Sequence, residues 1–507
     1  MSEVIVVDSG RTVERRVKAL LTGLRARKVL IGCRRWAGTS AIPGTIRDVW
    51  GAGAKILATI GEHLPDLPGR PVVQPERLIV FTRWPTPGET KTRLVPVLGR
   101  LRAAELQRRM TVRSLAAARG WASAGRRQIE VRHEGGSWRP MRRWLGAGPI
   151  YRPQRGGDLG GRMASALAAA FREGCRRAVL IGTDSPAITP ALLEEAFGAL
   201  GNHDLVLGPT LDGGYWLIGM GRPLPVFEGI AWGTDAVLDQ TREQAWVHGL
   251  RVHLLPELAD VDRPEDLPAT GGFFDPRPPV ISVVIPALNE AGRIAAAIRS
   301  ARAPGVEILV ADGGSTDGTP SIAESLGARV IPCLPGRGRQ QNAAAAVAAG
   351  DILLFLHADT VLPPGYAVDV FQAMLDGSAV GGGFLWRTDL DSPWMRAARF
   401  FVRLRTVYAR QPWGDQAIFV RKKDFRGLGG FGDVPIAEDW DFVRALRRRG
   451  RLVVIHRDVV TSARRRQGVG VAWTFLANWL IVLGCRLGVP RSALARLYGI
   501  ARVTDRE

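Results

Sequence analysis

Two apolar runs, "RAVLIG" at residues 177–182 and "DILLFL" at 351–356, stop abruptly on polar and acidic residues, "TDS" after the first and "HADT" after the second. A short strand that is apolar on both faces must lie inside a sheet covered on both sides, which requires alternating strands and helices. An acid just past such a strand stands where open α/β sheets take their ligands. Because the pattern occurs in both halves, it predicts one kind of α/β architecture carried twice.

At 507 residues the chain exceeds one ordinary hydrophobic core. It divides into a segment of unassigned role over 1–70, an α/β domain over 71–270 and another over 280–507. The Pro-rich "LPDLPGRPVVQP" and the "TGGFFDPRPP" stretch at 270–279 read as linkers. The four cysteines lack zinc or disulfide spacing, and no charged-then-apolar leader opens the sequence, so a cytoplasmic protein is expected. The net charge of +21 comes from arginines spread along the whole length. With no nucleic-acid recognition module beside it, a genome-wide preference for arginine codons accounts for the excess better than specific nucleic-acid binding, and anionic partners such as nucleotides and acidic lipid surfaces are compatible with it. Between Lys55 and Lys422 the only lysine is Lys91. A lone compact ammonium in an arginine-rich chain marks a position that calls for lysine.

In the second α/β run, "ISVVIP", "VEILVADGG" and "DILLFLHAD" are strands at βαβ spacing. The ordered motifs "PALNE" (286–290), "DGGSTDGT" (312–319), "HADT" (357–360) and "EDWDF" (438–442) closely resemble family-2 glycosyltransferases of the GT-A fold. The resemblance implies an inverting enzyme that uses a nucleotide-sugar donor and a divalent metal, Mn2+ or Mg2+. It gives Asp439 as the base and Glu438 as its orienting neighbour. Pro286, Glu290 and Asp312 would lie around the base and ribose, and Asp359 would hold the metal. His357 stands where the family's first metal-binding acid would be. Asp415 and Gln416 of "WGDQAIF" are expected to face donor or acceptor. Arg464 and Arg465 of "TSARRR" either clamp phosphate or form a solvated basic face. Glu438 and Asp439 also suit a helix N-terminus by charge alone.

The middle region carries "FTRWPTPGETKTRL" (81–94), "GDLGGRM" (157–163), "LIGTDSPAIT" (180–189), "LGPTLDGGYWLIG" (207–219) and "ADVDRPEDL" (259–267). As a set these resemble a GT-A-like family related to the guanylyltransferases of molybdenum cofactor and coenzyme F420 biosynthesis. Gly88 would let backbone approach a phosphate that Lys91 and Arg93 neutralise. Asp158 is an N-cap candidate and, with Arg162, belongs to the nucleotide-binding set. The resemblance implies that Asp184 and Asp262 grip a metal and that Asp212 helps build the pocket. By local pattern alone, Asp212-Gly213-Gly214 reads as a hairpin turn and "RPEDL" as a helix start.

The expectation is therefore an α/β protein with two GT-A-type, Rossmann-like domains. One transfers sugar to the hydroxyl of a small-molecule or lipid acceptor, and the other is a second transferase or a nucleotidyltransferase that activates the donor. An alternative is that one domain is an inactive scaffold. The pairing resembles transferases that travel with radical-SAM proteins and are associated with arsenosugar-type biosynthesis. The uncharged stretch 468–485 reads as a domain-covering or partner-pairing helix, then as an interfacial helix giving peripheral membrane contact, and least as a membrane span.

Overall fold

The computed structural model describes residues 76–123, 127–462 and 471–497. The segment 1–70, with Arg464 and Arg465, lies outside the described residues.

The first sheet is built from β1 (Glu76–Arg83), β2 (Arg127–Glu134), β3 (Ile150–Pro153), β4 (Arg177–Ile181), β5 (Leu205–Pro209), β6 (Tyr215–Met220) and β7 (Val252–Leu254), in the order β3-β2-β1-β4-β6-β5-β7. The second holds β8 (Ile281–Ala287), β9 (Val306–Asp312), β10 (Arg329–Pro332), β11 (Ile352–Phe355), β12 (Thr360–Val361), β13 (Ala379–Thr388), β14 (Ile418–Arg421) and β15 (Arg451–Thr461). Its order is β10-β9-β8-β11-β14-β13-β15-β12. Position by position the two sheets coincide, with the short β12 added at one edge of the second. In each, four parallel strands are followed by one reversed strand, β6 or β14, and the next strand runs antiparallel to it. Both are GT-A-type sheets, and the order reverses beside β1 and β4 in one and β8 and β11 in the other, where a ligand crevice opens.

The sheets are mixed, although strand and helix alternation alone predicts a parallel one. In the first sheet the reason is local: Asp212, Gly213 and Gly214 turn β5 back into β6 as a hairpin. Gly213 sits at φ 84°, and a Cβ there would lie 2.0 Å from the Asp235 carbonyl oxygen. Only glycine fits this turn.

Side-chain alternation sorts each strand between two cores. On β1, Leu78 and Val80 face one cluster with Trp121 and Phe197, while Ile79 and Phe81 face another with Met163 and Leu167. On β8, Val283 and Ile285 point one way and Val284 the other. The helix Val95–Ala122, kinked at Gly99 (φ 72°), serves both halves. Its Leu101 and Ala104 enter the core of the second sheet, whereas Leu115 and Trp121 belong to the first. Arg109 on this helix meets Asp351 at 2.8 Å. The 270–279 stretch is correspondingly not loose: Phe274 is buried with Leu106, Met110 and Val261.

Candidate functional sites

The site on the second sheet begins where β8 and β9 end side by side. The "PALNE" and "DGGSTDGT" loops are laced together. Asn289 accepts from Thr316 N–H (2.9 Å), and the amides of Glu290 and Ala291 donate to Thr319 and Asp317, each at 2.9 Å. Gln340 ties the strand ends by donating to the carbonyls of Ala287 and Ala311 at 2.7 and 3.0 Å. Pro286 lies in the end of β8, and the Glu290 carboxylate is paired with Arg293 at 2.9 Å. Asp312 is buried. Its Oδ2 accepts from the amides of Gly314 and Ser315, both at 3.0 Å, while its Oδ1 has no partner among the described residues. A buried carboxylate oxygen without a donor is costly and therefore suggests a donor supplied from outside.

Three sequence-distant motifs converge at Gly414. Its N–H donates to Asp439 Oδ2 at 2.5 Å, and a Cβ on Gly414 would stand 2.9 Å from that oxygen and 3.0 Å from His357 Nε2. Asp439 Oδ1 accepts from the amide of Trp440 (2.8 Å), so backbone donors fix the carboxylate's orientation. Glu438, buried at the start of the helix Glu438–Arg449, pairs with Arg337 at 3.2 Å. Burial pushes its carboxyl above the ordinary range, Arg337 pulls it back down, and Asp439 pushes it up further. The same guanidinium is raised above its own ordinary value by Glu438, against burial, with Asp439 and Asp359 contributing. Arg337 is thus the shared counter-ion of the acids in two motifs. The sequence reading did not single it out, since one arginine among many in "PGRGRQQN" carries no local signal.

Asp359 is half-buried after β11, with its carbonyl accepting from Ser462 N–H at 3.0 Å. Asp415 lies in the short turn Gly414–Gln416, and its carbonyl meets the Thr461 hydroxyl at 3.5 Å. Gln416 differs from a ligand-facing residue: it is fully buried and acts as a post. Its amide donates to Phe384 O and Thr406 Oγ1, and its oxygen accepts from Trp413 N–H and Arg405. Arg405 lies 3.6 Å over the Trp413 ring, and burial pulls its guanidinium down to about 10.

On the first sheet a cleft of about 1220 Å3 collects Lys91, Arg93, Arg162, Asp184, Asp212 and Asp262. Lys91 has left-handed backbone (φ 49°), which turns its side chain inward. Its buried ammonium lies 2.7 Å from Asp184 Oδ1 and 3.8 Å from Asp262 Oδ1, and donates to the Val261 carbonyl at 2.6 Å. Arg93 holds the other oxygen of Asp262 at 2.5 Å. The two acids expected to grip a metal are therefore bridged by an ammonium. Asp158 caps the helix Leu159–Arg172 by accepting from Gly161 N–H at 2.8 Å, and Arg162 lies 3.5 Å from Glu134. Gly88 (φ 90°) turns the loop after β1 and is not among the cleft's lining residues. Asp212 is both turn and lining: it accepts from Thr210 Oγ1 (2.6 Å) and Gly214 N–H (3.0 Å). Asp260 was not anticipated. Burial pushes its carboxyl up to about 6, with Asp212 and then Asp266 and Asp184 adding to the shift.

Among the described residues no three His, Cys, Asp or Glu side chains form a cation cage. On the second sheet, the Asp359 carboxylate and the nearby His357 imidazole are donors that suit Mn2+ or Mg2+ when diphosphate oxygens and water complete the shell. On the first sheet, Lys91 fills the space between the two acids and the residues do not fit a metal as they stand.

Comparison with known proteins gives a family match in each half. Residues 282–429 match the family described as Glycosyl transferase family 2, and residues 116–234 match an Uncharacterized protein conserved in bacteria (DUF2064). Glucosyl-3-phosphoglycerate synthase of Mycobacterium tuberculosis is 39% identical over 97 residues, which is 16% of this chain and 30% of that protein. An uncharacterized glycosyltransferase of Rickettsia felis is 44% identical over 84 residues, 16% of this chain and 29% of that protein. The chain thus spans about a third of the length of these curated relatives. A crystal structure assigned to a nucleotide-diphospho-sugar transferase of Desulfovibrio desulfuricans G20 is 34% identical, covers 38% of this chain and 84% of that one, and has a TM-score of 0.36. One region of the chain thus resembles DUF2064 and a second resembles family-2 glycosyl transferases.

Proposed function

We propose that this two-region chain is a nucleotide-sugar glycosyltransferase whose transfer chemistry lies on the second sheet. The observation that carries the reading is Asp312, buried at a strand end, with one oxygen held by backbone amides and the other without a donor. A nucleobase N–H is the kind of group that satisfies such an oxygen. The diphosphate then lies toward Asp359 and Arg337. Asp359, with His357 nearby, would hold a divalent metal, which when bound would supply charge neutralisation for the departing diphosphate.

Asp439 takes the proton of the acceptor hydroxyl as that oxygen attacks the anomeric carbon and the bond from carbon to phosphate oxygen breaks. A single in-line displacement inverts the anomeric centre. Glu438 and Arg337 hold the helix start in place, and the amide of Gly414 aims Asp439. The relatives named above support sugar transfer as the reaction class.

For the first sheet we propose a second phosphate-handling transferase site, supported by the size of its cleft and by Lys91 and Arg93 in its lining. Its built-in ammonium favours this over an inert scaffold, because a cation beside two partly exposed carboxylates in a cleft is the kind of group that a phosphate oxygen can recruit.

The test is the full-length chain with a panel of nucleoside-diphosphate sugars and Mn2+, following release of nucleoside diphosphate. Asp312→Asn is expected to weaken donor binding about tenfold or more, the effect of mispairing one buried acceptor, while leaving the unfolding midpoint within a few degrees. A folded wild-type chain that releases diphosphate from no sugar nucleotide would falsify the reading.

A further inference from the structure

The helix Pro393–Ala409 has an inner side and an outer side of different chemistry. Inward, Met395, Ala398 and Thr406 are buried and Arg405 reaches Gln416 and Trp413 beside the transfer site. Outward it leaves Trp394 71%, Phe401 61% and Tyr408 81% exposed. These three aromatics recur every seven residues, close to two helical turns, so they form one stripe. Arg396, Arg403 and Arg410 repeat at the same spacing and are also exposed, giving a second stripe alongside. Arg396 lies 3.8 Å from the exposed Asp391.

The helix Val471–Arg486 packs against this one and adds exposed Trp479, Leu480 and Leu483. It is the stretch whose composition raised peripheral membrane contact. No described helix is long and apolar enough to cross a membrane.

Charge decides what covers this face. From Ser392 to Gly414 the sequence has five arginines and no carboxylate. Elsewhere acids are plentiful, 48 in the whole chain. Large aromatics beside arginines, with Asp391 at the helix start and Asp458 against Arg399 as the acids that meet this helix, match the boundary of an anionic bilayer: rings enter the headgroup level and the remaining guanidinium groups pair with phosphates. A second copy of this chain would bring arginines against arginines.

We infer that the outer side of the helix Pro393–Ala409, with its neighbour Val471–Arg486, is a docking face for an anionic membrane surface, holding the transfer site next to the bilayer. The face does not depend on the transfer reading, and binding to vesicles is read without nucleotide. Failure of one therefore leaves the other standing.

The experiment is co-sedimentation of the full-length chain with vesicles of pure phosphatidylglycerol and of pure phosphatidylcholine. Binding to phosphatidylglycerol is expected to be about tenfold or more the stronger, because arginines close to an anionic surface are drawn by its negative potential, and to weaken as salt is raised. The triple variant Trp394→Ser, Phe401→Ser, Tyr408→Ser should lose about tenfold on phosphatidylglycerol. The variant Arg396→Gln, Arg403→Gln, Arg410→Gln should lose the preference between the two lipids. If the triple aromatic variant melts early, Phe401→Asp alone, on a fully folded chain, gives the same reading. The inference is overturned if the wild type stays in the supernatant with both lipids or if both variants bind as it does. It is equally overturned if sedimentation velocity shows a dimer that the aromatic variant dissociates while vesicles bind neither.

Discussion

The two candidate sites lie at equivalent ends of two sheets with one strand order, yet they manage charge differently. On the first sheet the cation comes from the loop after the first strand: Lys91 is buried between Asp184 at 2.7 Å and Asp262 at 3.8 Å and also bonded to a carbonyl, so its charge is met within the protein. On the second sheet the corresponding loop, after β8, is occupied with hydrogen bonds to its neighbour. The cation there is Arg337, from a helix that begins after β10, and it answers to Glu438, Asp439 and Asp359 together. A ligand-seeking atom, Asp312 Oδ1, is left over there. The comparison teaches that a shared strand order fixes where a cleft opens, while the short loops decide whether its charges are settled internally or left for a ligand.

The sharpest way to break this comparison is Asp439→Asn. Loss of the base is expected to cost transfer about a thousandfold with donor binding unchanged, as read by product formation beside nucleotide-sugar titration. An effect on binding alone would move Asp439 from chemistry to donor recognition. Next is Gly414→Ala. The added methyl, crowded between Asp439 and His357, should lower kcat about a hundredfold through misplacement of about an ångström, with little change in KM. Full activity in that variant would mean the convergence at Gly414 has no catalytic role.

Lys91→Met sharpens the other side. Removing the ammonium leaves Asp184 and Asp262 facing each other, so the unfolding midpoint should fall by about 2–4 °C. Mn2+ should then restore part of it, whereas the wild-type first-sheet cleft needs no metal. A variant that melts like the wild type and ignores Mn2+ would show that the ammonium is not the cleft's cation.

The smallest effect is expected from Glu173→Gln at the far edge of the first sheet. Arg152, and less so Arg77, pull the Glu173 carboxyl from its ordinary 4.5 down to about 2, against burial. A lowered carboxyl stabilises above its unfolded value, and that contribution disappears as pH falls from about 4.5 through about 2. Because the side chain is 38% exposed, solvent screening keeps the gain below about 1 kcal/mol. The difference in stability between wild type and variant should therefore be small at pH 7 and vanish near pH 2. A difference that persists in acid would assign it to packing.

Much of this was legible in the chain itself. Apolar strands ending in acids determined the two α/β sheets, because both faces of such strands must be covered. The spacing of "PALNE", "DGGSTDGT", "HADT" and "EDWDF" marked the strand ends where Asp312 and Asp359 lie and the helix start that bears Glu438 and Asp439. The lone Lys91 in an arginine-rich chain marked a buried ammonium. Other features needed the third dimension. The reversed strand β14, the meeting of His357, Gly414 and Asp439, and the counter-ion role of Arg337 depend on contacts between residues far apart in sequence, whereas the reversal of β6 follows from the local Asp212-Gly213-Gly214 turn. Gln416, which reads as a ligand-facing residue, is a buried post because Phe384, Thr406 and Arg405 close around its amide. Local pattern records which residues want burial or charge, but only packing decides which carboxylate meets which cation, since such a pairing depends on distances between segments that no local pattern contains.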